Sequence, residues 1–161
     1  LSPDDFINRK GYHSYNVQCT CDANERFTSV AAEWAGCAHD SRIFKNSPIP
    51  LIMAGTDSFL LGDGGYGIAP YLMVPYRNPV TPAQRAYNRL FTRERVIIER
   101  MFGMLKKRFP CLHNELRIKT EDVPTLVVAC VILFNVGKFL GDPGPDEQDG
   151  DNGEEDAEDF F

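Results

Sequence analysis

Asp63 stands in the string "LLGDGGYG" (residues 60–67), at the end of an apolar run and among glycines 62, 64, 65 and 67. In open α/β sheets, ligands gather beyond the C-terminal ends of strands, and glycine lets a bulky ligand approach the backbone. The plain alternative is a turn, because Asp-Gly is ordinary turn chemistry. Glu99 follows after 35 intervening residues, inside the helical pattern "VIIERMFGMLKKRF". Arg95, Glu99, Gly103 and Lys106 share one stripe of that helix, which sets Glu99 at the border of the apolar face. Its alternative role is a surface pair with Arg95. Hard divalent cations such as Mg²⁺ take carboxylate oxygens, and two of them can drive hydrolysis of a phosphodiester. That chemistry needs three or four converging carboxylates beside a positive track. Between Arg85 and Arg108 lie eight basic residues against two acidic ones. Such a helix face suits phosphates; ordinary solvation is its bland reading.

The elements that must position these groups are legible in part. From residue 14 the pattern alternates, with Tyr15, Val17, Cys19 and Cys21 on one face, as in a half-buried strand. "CDANERF" reads as a hairpin turn with Asp22 and Asn24 as turn formers. Residues 27–34 form a second strand with Thr28, Val30, Ala32 and Trp34 on one side. "HDSRIFKNS" is a short helix capped by Asp40 or Ser41 and ended by Pro48 and Pro50. Residues 58–61 read as a central strand buried on both faces. "TPAQ" starts the long helix: Thr81 caps, Pro82 takes the first helical position and Gln84 completes a capping box. The helix runs to Arg108, with Ile98, Met101, Phe102 and Leu105 as its core face. A last helix starts at Thr120 and ends near Gly141.

Composition sets outer bounds. The 161 residues suffice for one domain with a core. No signal-peptide pattern is present, and the longest apolar run, 12 residues from Val123, is short for a membrane span, so no membrane role is expected. Five cysteines are too few and scattered for a disulfide scaffold and suit a reducing compartment. The net charge of −6 conceals a division. Residues 141–161 hold ten of the 23 acids and no Lys or Arg, leaving the first 140 residues at 17 basic against 13 acidic, or +4. The acidic segment has the composition of a disordered tail. Its sharper reading is competition with an anionic ligand for the basic face.

Four strings, "NRKGYHSYNVQCTCD", "GCAHDSRIFKNS", "LLGDGGYGIAPYLMVPY" and "VIIERMFGMLKKRFPCL", occur in this order. Together the chain resembles the DDE endonuclease domain of PIF/Harbinger-type transposases and their HARBI-type nuclease relatives, from about residue 6 to residue 140. The resemblance implies an α/β, RNase H-like mixed sheet flanked by helices, residues 1–140 forming the nuclease domain and 141–161 the tail. It implies a divalent metal, Mg²⁺ or Mn²⁺, and a DNA substrate. Asp63 matches the aspartate of the family's "GD-x-GY" string and Glu99 the glutamate of its "-IER-F" helix, as catalytic metal ligands. Asp40 matches the aspartate of "HDS" as a further metal ligand, with the helix cap as its alternative. Arg95, Arg100, Lys106, Lys107 and Arg108 would steer the DNA backbone.

A Myb-like partner protein and a nuclear location also follow from the resemblance. The family's first catalytic aspartate sits on a strand upstream of "NRKGYHS". No "DGTH"-like string stands here, so the domain is expected to be truncated at its N-terminus, with Asp4 and Asp5 as poor substitutes. "LFN" (133–135) replaces the family's "LHN", and glycine stands at 67 where proline is usual. The competing expectation is a catalytically inactive DNA- or protein-binding module. Zinc at Cys19-x-Cys21 and Cys37-x-His39 is disfavoured by spacing, and His13 and His39 lack a nucleophile to serve.

Overall fold

The computed structural model describes residues 6, 7, 11, 13–114, 116–142 and 144. Asp4, Asp5 and the acidic tail from residue 145 lie outside the described residues. The chain divides into two compact units, one of Leu1–Cys37 with Ile98–Phe161 and one of Ala38–Ile97.

In the first unit, β1 (Tyr15–Cys21) and β2 (Phe27–Ala35) form an antiparallel hairpin. Asp22 closes the turn by accepting the Asn24 and Arg26 N–H groups on one carboxylate oxygen, at 2.9 and 3.0 Å. Glu25, not Asn24, takes the left-handed conformation there, at φ 58°. The register slips twice: Asn16 faces Trp34 but Gln18 faces Ala31, and Thr20 faces Ser29 but Cys21 faces Phe27. Each slip puts an extra residue on β2. A bulge breaks the two-residue alternation, so Thr28, Val30, Ala32 and Trp34, expected on one side, do not share one environment: Thr28 is exposed, Val30 and Trp34 are half-buried and Ala32 is buried. The buried residues of β2 are Phe27, Ala32 and Ala35.

The second half of α3 (Pro82–Arg108) and the whole of α4 (Val123–Phe139) complete this unit. Met101, Leu105 and Val127 are fully buried, as the helical spacing of the α3 core face requires. Phe27 meets the rings of Phe102 and Phe134 at 5.7 and 5.4 Å. The Asn135 side chain locks α4 to β2, accepting the Phe27 N–H at 2.9 Å and donating to the Phe27 carbonyl at 2.8 Å. Glu25 binds Arg100 of α3 and Lys138 of α4, the latter at 2.6 Å. One turn residue thus ties both helices to the hairpin. α4 is preceded by a 3₁₀ turn, Thr120–Asp122. The segment Thr120–Phe139 is long and apolar enough by length and composition to cross a membrane, because the apolar pattern outruns the 12-residue stretch read from sequence. A core helix passes the same test, and a third of this one is buried.

In the second unit, α1 (Asp40–Asn46) is followed by α2 (Ile49–Ala54), a helix not expected from the sequence. Pro48 occupies its N-cap and Pro50 its second position, where the missing N–H costs nothing. The expected four-residue central strand is only β3 (Leu60–Leu61), and Phe59 before it is 62% exposed. β3 pairs in parallel with β4 (Leu72–Met73), also unexpected, inside "PYLMVPY". The core gathers Phe44, Ile49 and Leu72, with Tyr66 and Leu60 packed against them. The start of α3 follows the capping-box expectation: Gln84 N–H donates to Thr81 Oγ1 at 3.2 Å, and Gln84 Oε1 accepts from Thr81 N–H at 3.0 Å. It also accepts from Val80 N–H at 2.8 Å. The architecture is mixed α/β, with one antiparallel and one parallel two-stranded sheet among the described residues.

Candidate active site

Asp63 is positioned two residues past β3, half-buried. Gly62 N–H donates to the Met73 carbonyl at 2.9 Å, extending the parallel ladder to the residue before the aspartate. Asp63 then turns on itself, its Oδ1 accepting the Gly65 N–H at 2.7 Å. This is the Asx-type turn expected of Asp-Gly, and it fixes the carboxylate orientation.

Two of the surrounding glycines are tightly hemmed in. A Cβ at Gly62 would meet the Tyr66 ring at 3.0 Å and Leu72 at 3.1 Å, and one at Gly65 would meet Asp63 Oδ1 at 3.0 Å. Gly64 and Gly67 have open space around them. None of the four adopts positive φ. Glycine is therefore used here for close approach, not for an unusual backbone conformation.

Asp40 opens α1 as its first helical residue, exposed, while His39 holds the N-cap without a side-chain cap bond. The capping role is therefore not filled by Asp40, although a carboxylate in the first turn still complements the helix dipole. One turn on, Phe44 meets Tyr66 edge-on at 5.6 Å. The helix bearing Asp40 and the loop bearing Asp63 thus share one small core.

Glu99 belongs to the other unit, in the second half of α3, and is half-buried. The structure places Asp40 and Asp63 in one unit and Glu99 in the next. Among the described residues, no group of three or more His, Cys, Asp or Glu is placed to hold a metal ion. The described cysteines are all free. Burial pushes the Cys19 thiol up to about 12, further from the thiolate that zinc requires. The donors that are present, carboxylates exposed or half-buried beside backbone amides, suit a hard oxygen-seeking cation.

The basic residues of α3 separate by exposure. Arg100 and Lys107 face outward at least in part, whereas Arg95, Lys106 and Arg108 are half-buried. Arg108 packs its guanidinium over Gly137, where a Cβ would come within 3.1 Å, and pairs with Asp142. The hydrogen bond from Arg108, with help from the Gly144 N–H, pulls the Asp142 carboxyl down to about 2.

Sequence reasoning missed Glu25 and Asn135 as structural hubs. Their partners lie 75 to 113 residues away, beyond any local pattern. The Asn of "LFN" was the available signal, since a mid-helix Asn is helix-neutral at best.

The chain belongs to the DDE superfamily endonuclease family, which matches residues 2–135. It is 33% identical over 137 residues to the human protein named "Putative nuclease HARBI1", covering 81% of this chain and 39% of that one. The mouse protein of the same name is 30% identical over 156 residues, covering 89% and 45%. "Protein ALP1-like" of Arabidopsis thaliana is 23% identical over 153 residues, covering 84% and 38%. The chain therefore spans about two fifths of the length of these relatives. No solved structure matches.

Proposed function

We propose that this chain is the core of a divalent-metal-dependent DNA endonuclease of transposase origin, built on an RNase H-like fold. The observation that carries the reading is Asp63: a carboxylate just past the end of a parallel strand, oriented by the Gly65 N–H and flanked by two glycines at which an added Cβ would sit tightly, at 3.0 Å, against its neighbours. It stands in a chain belonging to an endonuclease family. Asp63, Glu99 and Asp40 are the residues that would hold Mg²⁺ or Mn²⁺. Such an ion polarises a phosphodiester and lowers the pKa of water. The Asp63 loop orients a ligand oxygen, Glu99 adds the second carboxylate from α3, and the basic residues of α3 hold the phosphate backbone. DNA is the partner, a Myb-like protein would direct it to its target, and the site of action is the nucleus.

A second reading, an inactive binding module, is favoured by one observation: the described residues supply no three-ligand cluster. β1 pairs with β2 alone among the described strands, so its other edge can accept a further strand bearing an aspartate. Plasmid nicking with Mn²⁺ tests both readings, on this chain and on one carrying such an added N-terminal strand. Nicking that EDTA stops and Asp63→Asn abolishes supports the enzyme. DNA binding without nicking in either protein supports the module.

A further inference from the structure

We infer that the DNA-binding surface of α3 is its outward stripe of Arg85, Arg89 and Arg93. This rests on the nucleic-acid reading above and assigns that reading a surface. At 3.6 residues per turn these three positions fall within a sector of about 80°. All three are exposed, and no acidic residue shares the sector. Val96 falls in the same sector and is exposed too, so the stripe has no bulky apolar ridge.

Arg85, Arg89 and Arg93 are spaced i, i+4, i+8, which sets successive guanidinium stems about 6 Å apart along the axis. The stripe, Arg85 to Arg93, runs about 12 Å. A regular row of guanidiniums suits a polyanion with regular phosphates, because each fork can take a phosphate through two bonds. The residues remain available. Arg93 is 73% exposed and pairs only across the surface with its neighbour Glu94, a contact that contributes little and yields readily to a phosphate. Arg85 uses one nitrogen on the Val80 carbonyl, at 2.8 Å. Arg89 has no ion-pair partner among the described residues. By contrast Arg108 is 26% exposed and engaged by Asp142, and Arg95 and Lys106 are half-buried.

The test is fluorescence anisotropy with labelled duplex DNA in EDTA, using the full 161-residue chain across a salt series. R85Q/R89Q/R93Q is expected to weaken binding equally on unrelated sequences and to reduce the slope of log affinity against log salt by about 2 to 3, one unit or slightly less per lost phosphate contact. R85K/R89K/R93K is expected to retain the slope. R117Q/K119Q, two exposed basic residues off the helix, is expected to leave it unchanged. Circular dichroism checks that each variant keeps its helices. Binding that ignores the three arginines, or that falls equally in R117Q/K119Q, overturns this surface alone. A native chain that binds no duplex DNA overturns the surface and the nucleic-acid reading together.

Discussion

Replacing Asn135 with alanine removes both bonds that fasten α4 to the backbone of Phe27. Phe27 is 6% exposed and lies against Phe102 and Phe134, so water reaches its N–H and C=O poorly. A typical intramolecular hydrogen bond contributes about 0.5–1.5 kcal/mol net, and a buried group left unpaired costs about 1–3 kcal/mol. Two bonds, with partial solvent relief at a half-buried site, give an expected loss of about 2–3 kcal/mol. That is a large share of the roughly 5–15 kcal/mol typical of a domain. Urea unfolding followed by circular dichroism reads it directly, as a midpoint lowered by about 1–2 M with the slope unchanged. Asn135→Asp is the sharper control. It keeps an acceptor for the Phe27 N–H but sets a carboxylate oxygen against the Phe27 carbonyl, so at neutral pH it costs at least as much as alanine. A loss below about 0.5 kcal/mol for Asn135→Ala, the floor for a single hydrogen bond, would refute the claim that this side chain fastens the helix to the hairpin.

Gly65→Ala is expected to displace the Asp63 carboxylate, because its methyl would lie 3.0 Å from Oδ1, and so to weaken Mn²⁺ binding in calorimetry. Gly64→Ala, with open space around it, is expected to leave binding intact. Thr81→Ala should cost about 1 kcal/mol in chemical unfolding through loss of the cap. An unchanged midpoint would show that Pro82 and Gln84 suffice. Asp142 should titrate near 2 by NMR, against an ordinary 3.8, through its hydrogen bond with Arg108. Its folded pKa is depressed, so its contribution to stability is present above 3.8 and is lost as pH falls through about 2. A midpoint near 4 would mean that the pair with Arg108 does not persist in solution.

Local chemistry was legible in the sequence where it is self-contained. The capping box of α3, its Met101–Leu105 core face and the Asp22 turn each need only a few consecutive residues. The strand phase of β2 was not, because two extra residues are accommodated as bulges whose place is set by pairing with β1. The short β3–β4 pair was unreadable for a related reason: two residues carry no periodicity, and Leu60 and Leu61 count as a strand only because Leu72 and Met73 lie beside them. α2 was hidden by Pro48 and Pro50, which read as stops and serve instead as a helix start. Of the candidate site, Asp63, Glu99 and Asp40 could be named from the strings around them. The orientation of Asp63 by Gly65, and the division of the α3 basic residues into outward and half-buried sets, required coordinates.

The central proposal is that Asp63 and Glu99 are both ligands of the divalent ion. Electron paramagnetic resonance of Mn²⁺ titrated into the chain counts bound ions directly, in the native protein, in Asp63→Asn, in Glu99→Gln and in the double variant. The account predicts that each single substitution removes the same bound Mn²⁺ and that combining them removes no other. Native stoichiometry in either single variant, or two separate ions lost one by one, would contradict it.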